Sequence, residues 1–178
     1  MGINNSKSIS SDTEIIHSAD MLKIISEYQN SSDPDIYDFV QKVLCKSPAK
    51  PLVIGQISDK CAKEIHDLTG IDTTGNNIII TPDDIRHIIK RHGPNGKADH
   101  SMKDVSDIAR LKYILNNYDT IEWNGKHSTL YQLNSGEQAP QISIKKRVDG
   151  SYYVIEVISD SKKKRNIITS VYLKKASD

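Results

Sequence analysis

Apolar and polar positions divide the chain into a helical first half and a strand-like second half. Ile15, Ile16, Ala19, Leu22 and Ile25 recur at helical spacing, with Asp12 as the N-cap and a fade at Gln29 to Ser32. Asp33-Pro34 opens a second helix, a capping residue followed by proline at the first helical position, with Ile36, Phe39, Val40, Val43 and Leu44 on its apolar face. Ser47 to Pro51 reads as a linker. Residues 1–48 therefore read as a helical arm, with the polar residues 1–11 disordered, and residues 49–178 as the main domain.

Beyond the linker, Leu52-Val53-Ile54 and Ile78-Ile79-Ile80 predict short strands. Ser58 caps a helix through Cys61, Ile65 and Leu68 that stops at Gly70. Thr81-Pro82-Asp83-Asp84 starts another, which runs through Ile85, Ile88 and Ile89 to Gly93-Pro94. A glycine- and histidine-bearing loop follows, then one helix from about Lys103 to Asn116. From Asp119 the period becomes two. Thr120 to Trp123 and Thr129 to Leu133 predict a hairpin around Asn124-Gly125, and Gln141 to Val148 and Tyr152 to Ser159 one around Asp149-Gly150. Asn166 to Lys174 closes the set. Helices followed by an antiparallel meander specify an α+β domain, with helices on one face of a sheet.

Charge sharpens this division. The total is +1, but residues 1–80 carry 7 basic and 11 acidic side chains, residues 81–140 carry 8 and 8, and residues 141–178 carry 9 and 4. The neutral sum conceals an acidic first part and a basic last part suited to phosphates. The bland reading of the late lysines is a soluble sheet edge. No apolar run approaches the roughly 18 residues of a membrane helix, and the N-terminus shows no basic-then-apolar leader. Met1-Gly2 with Ser6 fits a loose myristoylation pattern that recurs by accident. Two cysteines, Cys45 and Cys61, exclude a disulfide scaffold and a four-cysteine zinc site.

Candidate chemistry gathers in two places. His87, Lys90, Arg91 and His92 share a short helical segment, and His100 follows in the next loop. Histidine gives or takes a proton near neutral pH, although basic groups at a helix C-terminus also suit the macrodipole. The five-residue histidine spacing lacks the intervening glutamate of a helical zinc motif, and Arg86, Lys90 and Arg91 would repel a cation, so neither metal nor cofactor is expected. In the last strands lie Lys145, beside Lys146, and Thr169-Ser170-Val171-Tyr172. Strict alternation puts Ser170 and Tyr172 on one face and Thr169 and Val171 on the other. Strand propensity alone also accounts for Thr and Tyr there. Trp123 beside the Asn124-Gly125 turn reads as a packing residue, with base stacking as the alternative.

The stretch from Leu52-Val53-Ile54-Gly55 to Lys174 resembles the phage-associated branch of the barnase–EndoU–colicin–RelE-like nucleases. The resemblance is carried by His87-Ile88-Ile89-Lys90-Arg91-His92-Gly93, by Gly96-Lys97-Ala98-Asp99-His100-Ser101, by Leu111-Lys112-Tyr113-Ile114-Leu115 and by Thr169-Ser170-Val171-Tyr172. It implies N-terminal helices packed on a four- to five-stranded antiparallel sheet, with the active site on the exposed sheet face beside the histidine-bearing helix. It also implies a small metal-independent ribonuclease, used as a toxin or phage effector in the bacterial cytosol. The implied partners are RNA, with tRNA as the family-based target, and a cognate immunity or inhibitor protein. In that reading His92 and His100 are the proton-transfer pair. Arg91, Lys90, Lys145 and Lys146 serve the phosphate, Ser170 or Thr169 with Tyr172 orient it, and His87 supports. The alternative is a non-catalytic module that binds nucleic acid or protein on the same scaffold.

Overall fold

The computed structural model describes residues 19–123, 130–132 and 138–177. Six helices and seven strands are described: α1 (residues 19–29), α2 (Pro34–Leu44), β1 (Leu52–Gln56), α3 (Asp59–Thr69), β2 (Asn77–Ile80), α4 (Pro82–His92), α5 (Val105–Ala109), α6 (Leu111–Asn117), β3 (Thr120–Glu122), β4 (Leu130–Gln132), β5 (Gln138–Val148), β6 (Ser151–Asp160) and β7 (Arg165–Lys175). The α+β class holds. Asp12 and Asn124-Gly125 lie outside the described residues.

Local chemistry explains where the helices begin. The Asp33 carboxylate accepts from the Asp35 and Ile36 amides ahead of α2, and the Ser58 hydroxyl accepts from the Cys61 amide ahead of α3. At α4, the Thr81 hydroxyl accepts from the Asp84 amide while the Asp84 carboxylate accepts from the Thr81 amide, a reciprocal capping box. Gly70 ends α3 at φ 76°. The expected single helix from Lys103 is instead broken at Arg110 into α5 and α6. The buried Tyr153 hydroxyl donates to the Asp107 carbonyl at 2.6 Å, taking the acceptor that a continuous helix would offer to the Leu111 amide.

The sheet departs from the expected meander in size and sense. Its order is β1-β2-β7-β6-β5-β3, six strands, with β4 paired to the start of β5. β2 runs parallel to β7, through Asn77 to Arg165 and Ile79 to Ile167, and all other pairings are antiparallel. Ile78, Ile79 and Ile80 are all buried, as suits a parallel strand covered on both faces. Among the described residues β3 and β4 do not pair with each other. They pair with successive stretches of β5, so the described residues do not form the expected Thr120–Leu133 hairpin.

Helices pack on one sheet face through Ile80, Ile85, Ile88, Ile108, Leu111, Ile144, Ile155 and Val171. Tyr28, Ile36, Phe39 and Val40 from the first two helices join the same core. Cys61 lies in this core while Cys45 is exposed, and burial pushes the Cys61 thiol up to about 11. At pH 8 only about a thousandth of the Cys61 side chain is then thiolate, the reactive form. Iodoacetamide at pH 8 is expected to label Cys45 alone in the folded protein and both cysteines in denaturant, as read by mass spectrometry.

Candidate active site

α4 reaches its C-terminus beside β7, beyond the short parallel contact with β2, and the loop after it turns back on the helix. The amide of Lys97 donates to the Lys90 carbonyl, those of Ala98 and Asp99 donate to Arg91, and that of Met102 donates to His92. These bonds satisfy carbonyls that a helix end leaves open. Ser101 ties the loop to the sheet, its hydroxyl accepting from the Leu173 amide at 3.0 Å.

His92 sits where these constraints meet. It is 6% exposed. Its Nδ1 lies 2.9 Å from Asp99 Oδ2, and its ring stacks on Tyr172 with centroids 4.8 Å apart and an interplanar angle of 25°. The Asp99 carboxylate accepts from Nδ1, which leaves Nε2 as the nitrogen for proton exchange. Burial alone would raise the Asp99 carboxyl. The Ser101 hydroxyl and amide, with His92, outweigh it and hold the group below the usual carboxylate range.

Tyr172 passes the linkage to the sheet. Its hydroxyl donates to Glu156 Oε1 at 3.0 Å. Gln141 Nε2 donates to Glu156 Oε2 at 3.1 Å and to the Thr169 hydroxyl at 3.0 Å. Burial first, and then the Glu156 carboxylate, push the Tyr172 phenol well above its ordinary range. Tyr172 is therefore a donor at neutral pH rather than a base. Glu156, Gln141, Thr169 and Ser170 line a cleft of 270 Å³, closed on the helix side by Asp83, Asp84 and His87. Burial raises the Asp84 carboxyl despite the opposing Thr81 hydrogen bonds.

The structure separates the sequence-derived candidates. His92 and Tyr172 are in contact, while Thr169, Ser170 and His87 line the adjoining cleft. Thr169 shares the cleft with Ser170 because β7 bulges there. Glu156 faces Ser170 and Val157 faces Ile168, so Thr169 is the extra residue and alternation fails. Lys145 stands on the cleft face of the sheet, across Val154 from Tyr172, with Nζ 2.6 Å from Glu122. Arg91, Lys90 and His100 are exposed on α4 and its loop. Lys146 joins none of these. It is buried on the helix-covered face, 3.6 Å from Asp119.

Sequence reasoning passed over Glu156, Gln141 and Asp99 as site residues. Glu156 had a signal, since a carboxylate between Val154-Ile155 and Val157-Ile158 in a central strand needs partners. Among the described residues no cluster of three or more His, Cys, Asp or Glu is placed to hold a metal ion, and no helix is long and apolar enough to cross a membrane.

A buried histidine oriented by a carboxylate, stacked on a donor tyrosine beside a polar cleft on a sheet, is an arrangement fit for proton transfer. No curated protein and no solved structure is significantly similar to the chain. Residues 55–178 match the family described as phage-Barnase-EndoU-ColicinE5/D-RelE like nuclease 3, and the chain belongs to that nuclease family.

Proposed function

We propose that the protein is a metal-independent endoribonuclease of the toxin or phage-effector type. The observation that carries this reading is His92, oriented by Asp99 at 2.9 Å and stacked on Tyr172, whose hydroxyl donates to the cleft-lining Glu156. In the reaction the ribose 2′-oxygen forms a bond to the adjacent phosphorus as the bond from phosphorus to the 5′-oxygen breaks. A base takes the 2′-hydroxyl proton and an acid gives one to the departing 5′-oxygen. The products are a 2′,3′-cyclic phosphate and a 5′-hydroxyl. The nucleophile belongs to the substrate, and proton transfer at two sites suffices to drive the exchange.

His92 is assigned one of the two proton transfers. His87, which lines the cleft beside Ser170 and Glu156, is assigned the other in preference to His100. Asp83, Asp84 and Glu156 make the cleft interior acidic, so the phosphate is assigned to its rim. The exposed Arg91 of α4 and Lys145 on the cleft face of the sheet are assigned to supply positive charge, and the Ser170 hydroxyl and Tyr172 to orient the group. RNA, with tRNA as the favoured target, is then the substrate. The bacterial cytosol is the place of action, and a producing cell would need an inhibitor protein.

Incubation of the purified protein with total RNA tests the reading. Discrete cleavage bands are expected, unchanged by EDTA. Intact RNA after prolonged incubation, or bands abolished by EDTA, would overturn it. In the same assay His87→Ala is expected to slow cleavage by about 10²–10⁴-fold and His100→Ala to leave it near the parental rate. The reverse order would exchange the two assignments.

A further inference from the structure

The cleft face of the sheet continues well past the cleft. Three cross-strand rows succeed one another on β5, β6 and β7: Ser143–Glu156–Ser170, then Lys145–Val154–Tyr172, then Arg147–Tyr152–Lys174. No register shift falls between the first row and the third, so all three project from one side. The third row is unlike its neighbours. The Arg147 guanidinium carbon lies over the Tyr152 ring, 5.3 Å from its centroid, and Arg147 Nε is held by a hydrogen bond to the Asp149 carbonyl at 2.7 Å. Tyr152 is half-buried and Lys174 exposed.

We propose that Arg147, Tyr152 and Lys174 form a subsite for a nucleotide of single-stranded RNA that lies beyond the cleaved bond. The inference rests on the ribonuclease reading given above and adds to it a surface and a substrate feature. Aromatic rings and guanidinium planes are the groups on which unpaired bases stack. Lys174 beside them supplies charge for a phosphate. Tyr152 precedes Glu156 by four residues along one strand, about 13 Å, a span of about two extended nucleotides. A strand held at the cleft therefore reaches the third row, which lies within the last 38 residues of the chain, where 9 basic and 4 acidic groups fall. A pair that served only to brace the Asp149-Gly150 turn would influence stability and leave RNA affinity alone.

The test uses a 12-nucleotide single-stranded RNA, 2′-O-methylated to block cleavage and labelled for fluorescence anisotropy, together with a cleavable dinucleotide. Tyr152→Ala is expected to weaken 12-mer binding by about 5- to 150-fold, the range for loss of one stacked base, and to leave dinucleotide cleavage unchanged. Tyr152→Trp should restore binding. Lys174→Ala should reduce the salt dependence of 12-mer binding by about 0.7 unit of slope, the single-strand value for one phosphate contact. Tyr152→Ala affinity equal to the parent's, with melting temperature preserved, would overturn the subsite, as would an equal loss on the dinucleotide. If the parent cleaves no RNA, the ribonuclease reading fails on its own, and the anisotropy series still decides the subsite. Binding of an unrelated acidic peptide with the same dependence on Tyr152 would overturn the assignment to RNA.

Discussion

Replacement of His92 by alanine is expected to slow RNA cleavage by about 10²–10⁴-fold, the loss typical of one general acid or base. The magnitude follows from how fully the side chain is committed. Asp99 holds one ring nitrogen, Tyr172 covers one ring face, and the backbone carbonyl is bound by the Met102 amide. Among the described residues no other ring is stacked on Tyr172 to take over. Because the ring is buried, truncation also leaves a void against Tyr172, so activity must be compared with melting temperature. His92→Gln, which refills part of the space without a titrating ring, should be as inactive as the alanine variant and more stable. Single-turnover rates on one oligonucleotide check both. Asp99 adds a constraint on pH. A carboxylate held below its ordinary value of 3.8 contributes fully above that pH, and its grip on His92 is lost only as pH falls through the depressed value. Activity that disappears between pH 7 and pH 5 must therefore report another group.

The second large effect is expected at Gly96. A Cβ there would land on the carbonyl oxygens of Asp99 and Arg91. Neither can yield cheaply, because Arg91 already accepts the Ala98 and Asp99 amides and that geometry sets the Asp99 side chain against His92. Gly96→Ala is expected to cost about 1–3 kcal/mol of stability, as overpacking does elsewhere. The melting temperature should fall by about 2–4 °C per kcal/mol for a chain of this size. Cleavage should fall with it even where the protein is fully folded, since Asp99 is displaced. Gly150, in the turn between β5 and β6, has nothing within 4 Å of its would-be Cβ, and Gly150→Ala should stay within about 0.5 kcal/mol of the parent. Thermal melts of the two variants, with cleavage measured at 20 °C, give the contrast. A Gly96→Ala protein as stable and active as the Gly150→Ala protein would remove the loop from the account.

The parts of the fold legible in the sequence are those specified locally. At α4, cap, proline and first-turn acids precede a helical apolar stripe and a Gly-Pro stop, and every signal refers to residues within one turn. The break at Arg110 depends on the Tyr153 hydroxyl taking the carbonyl of Asp107, 46 residues away along the chain, which no local pattern reveals. The parallel pairing of β2 with β7 is likewise a long-range choice. Its trace in the sequence is only that Ile78-Ile79-Ile80 does not alternate.

The candidate site divides in the same way. His92 stood out because histidines and cations cluster around it. Thr169 was placed on the wrong face because a bulge adds one residue to one strand, and alternation has no means of registering it. Lys145 and Lys146 look equivalent in a basic run, but successive strand residues face opposite ways, and only Lys145 shares a face with Tyr172. Glu156 became visible as a partner of Tyr172 and Gln141 only once three strands were aligned.

In the proposed reaction the substrate's own 2′-hydroxyl is the nucleophile. The most direct measurement takes an RNA oligonucleotide with a mapped cleavage site and replaces the single 2′-hydroxyl 5′ to the scissile phosphate by hydrogen. No cleavage is expected at that bond, while the unmodified strand is expected to yield a 2′,3′-cyclic phosphate and a 5′-hydroxyl. Cleavage of the 2′-deoxy bond at the parental rate would contradict it.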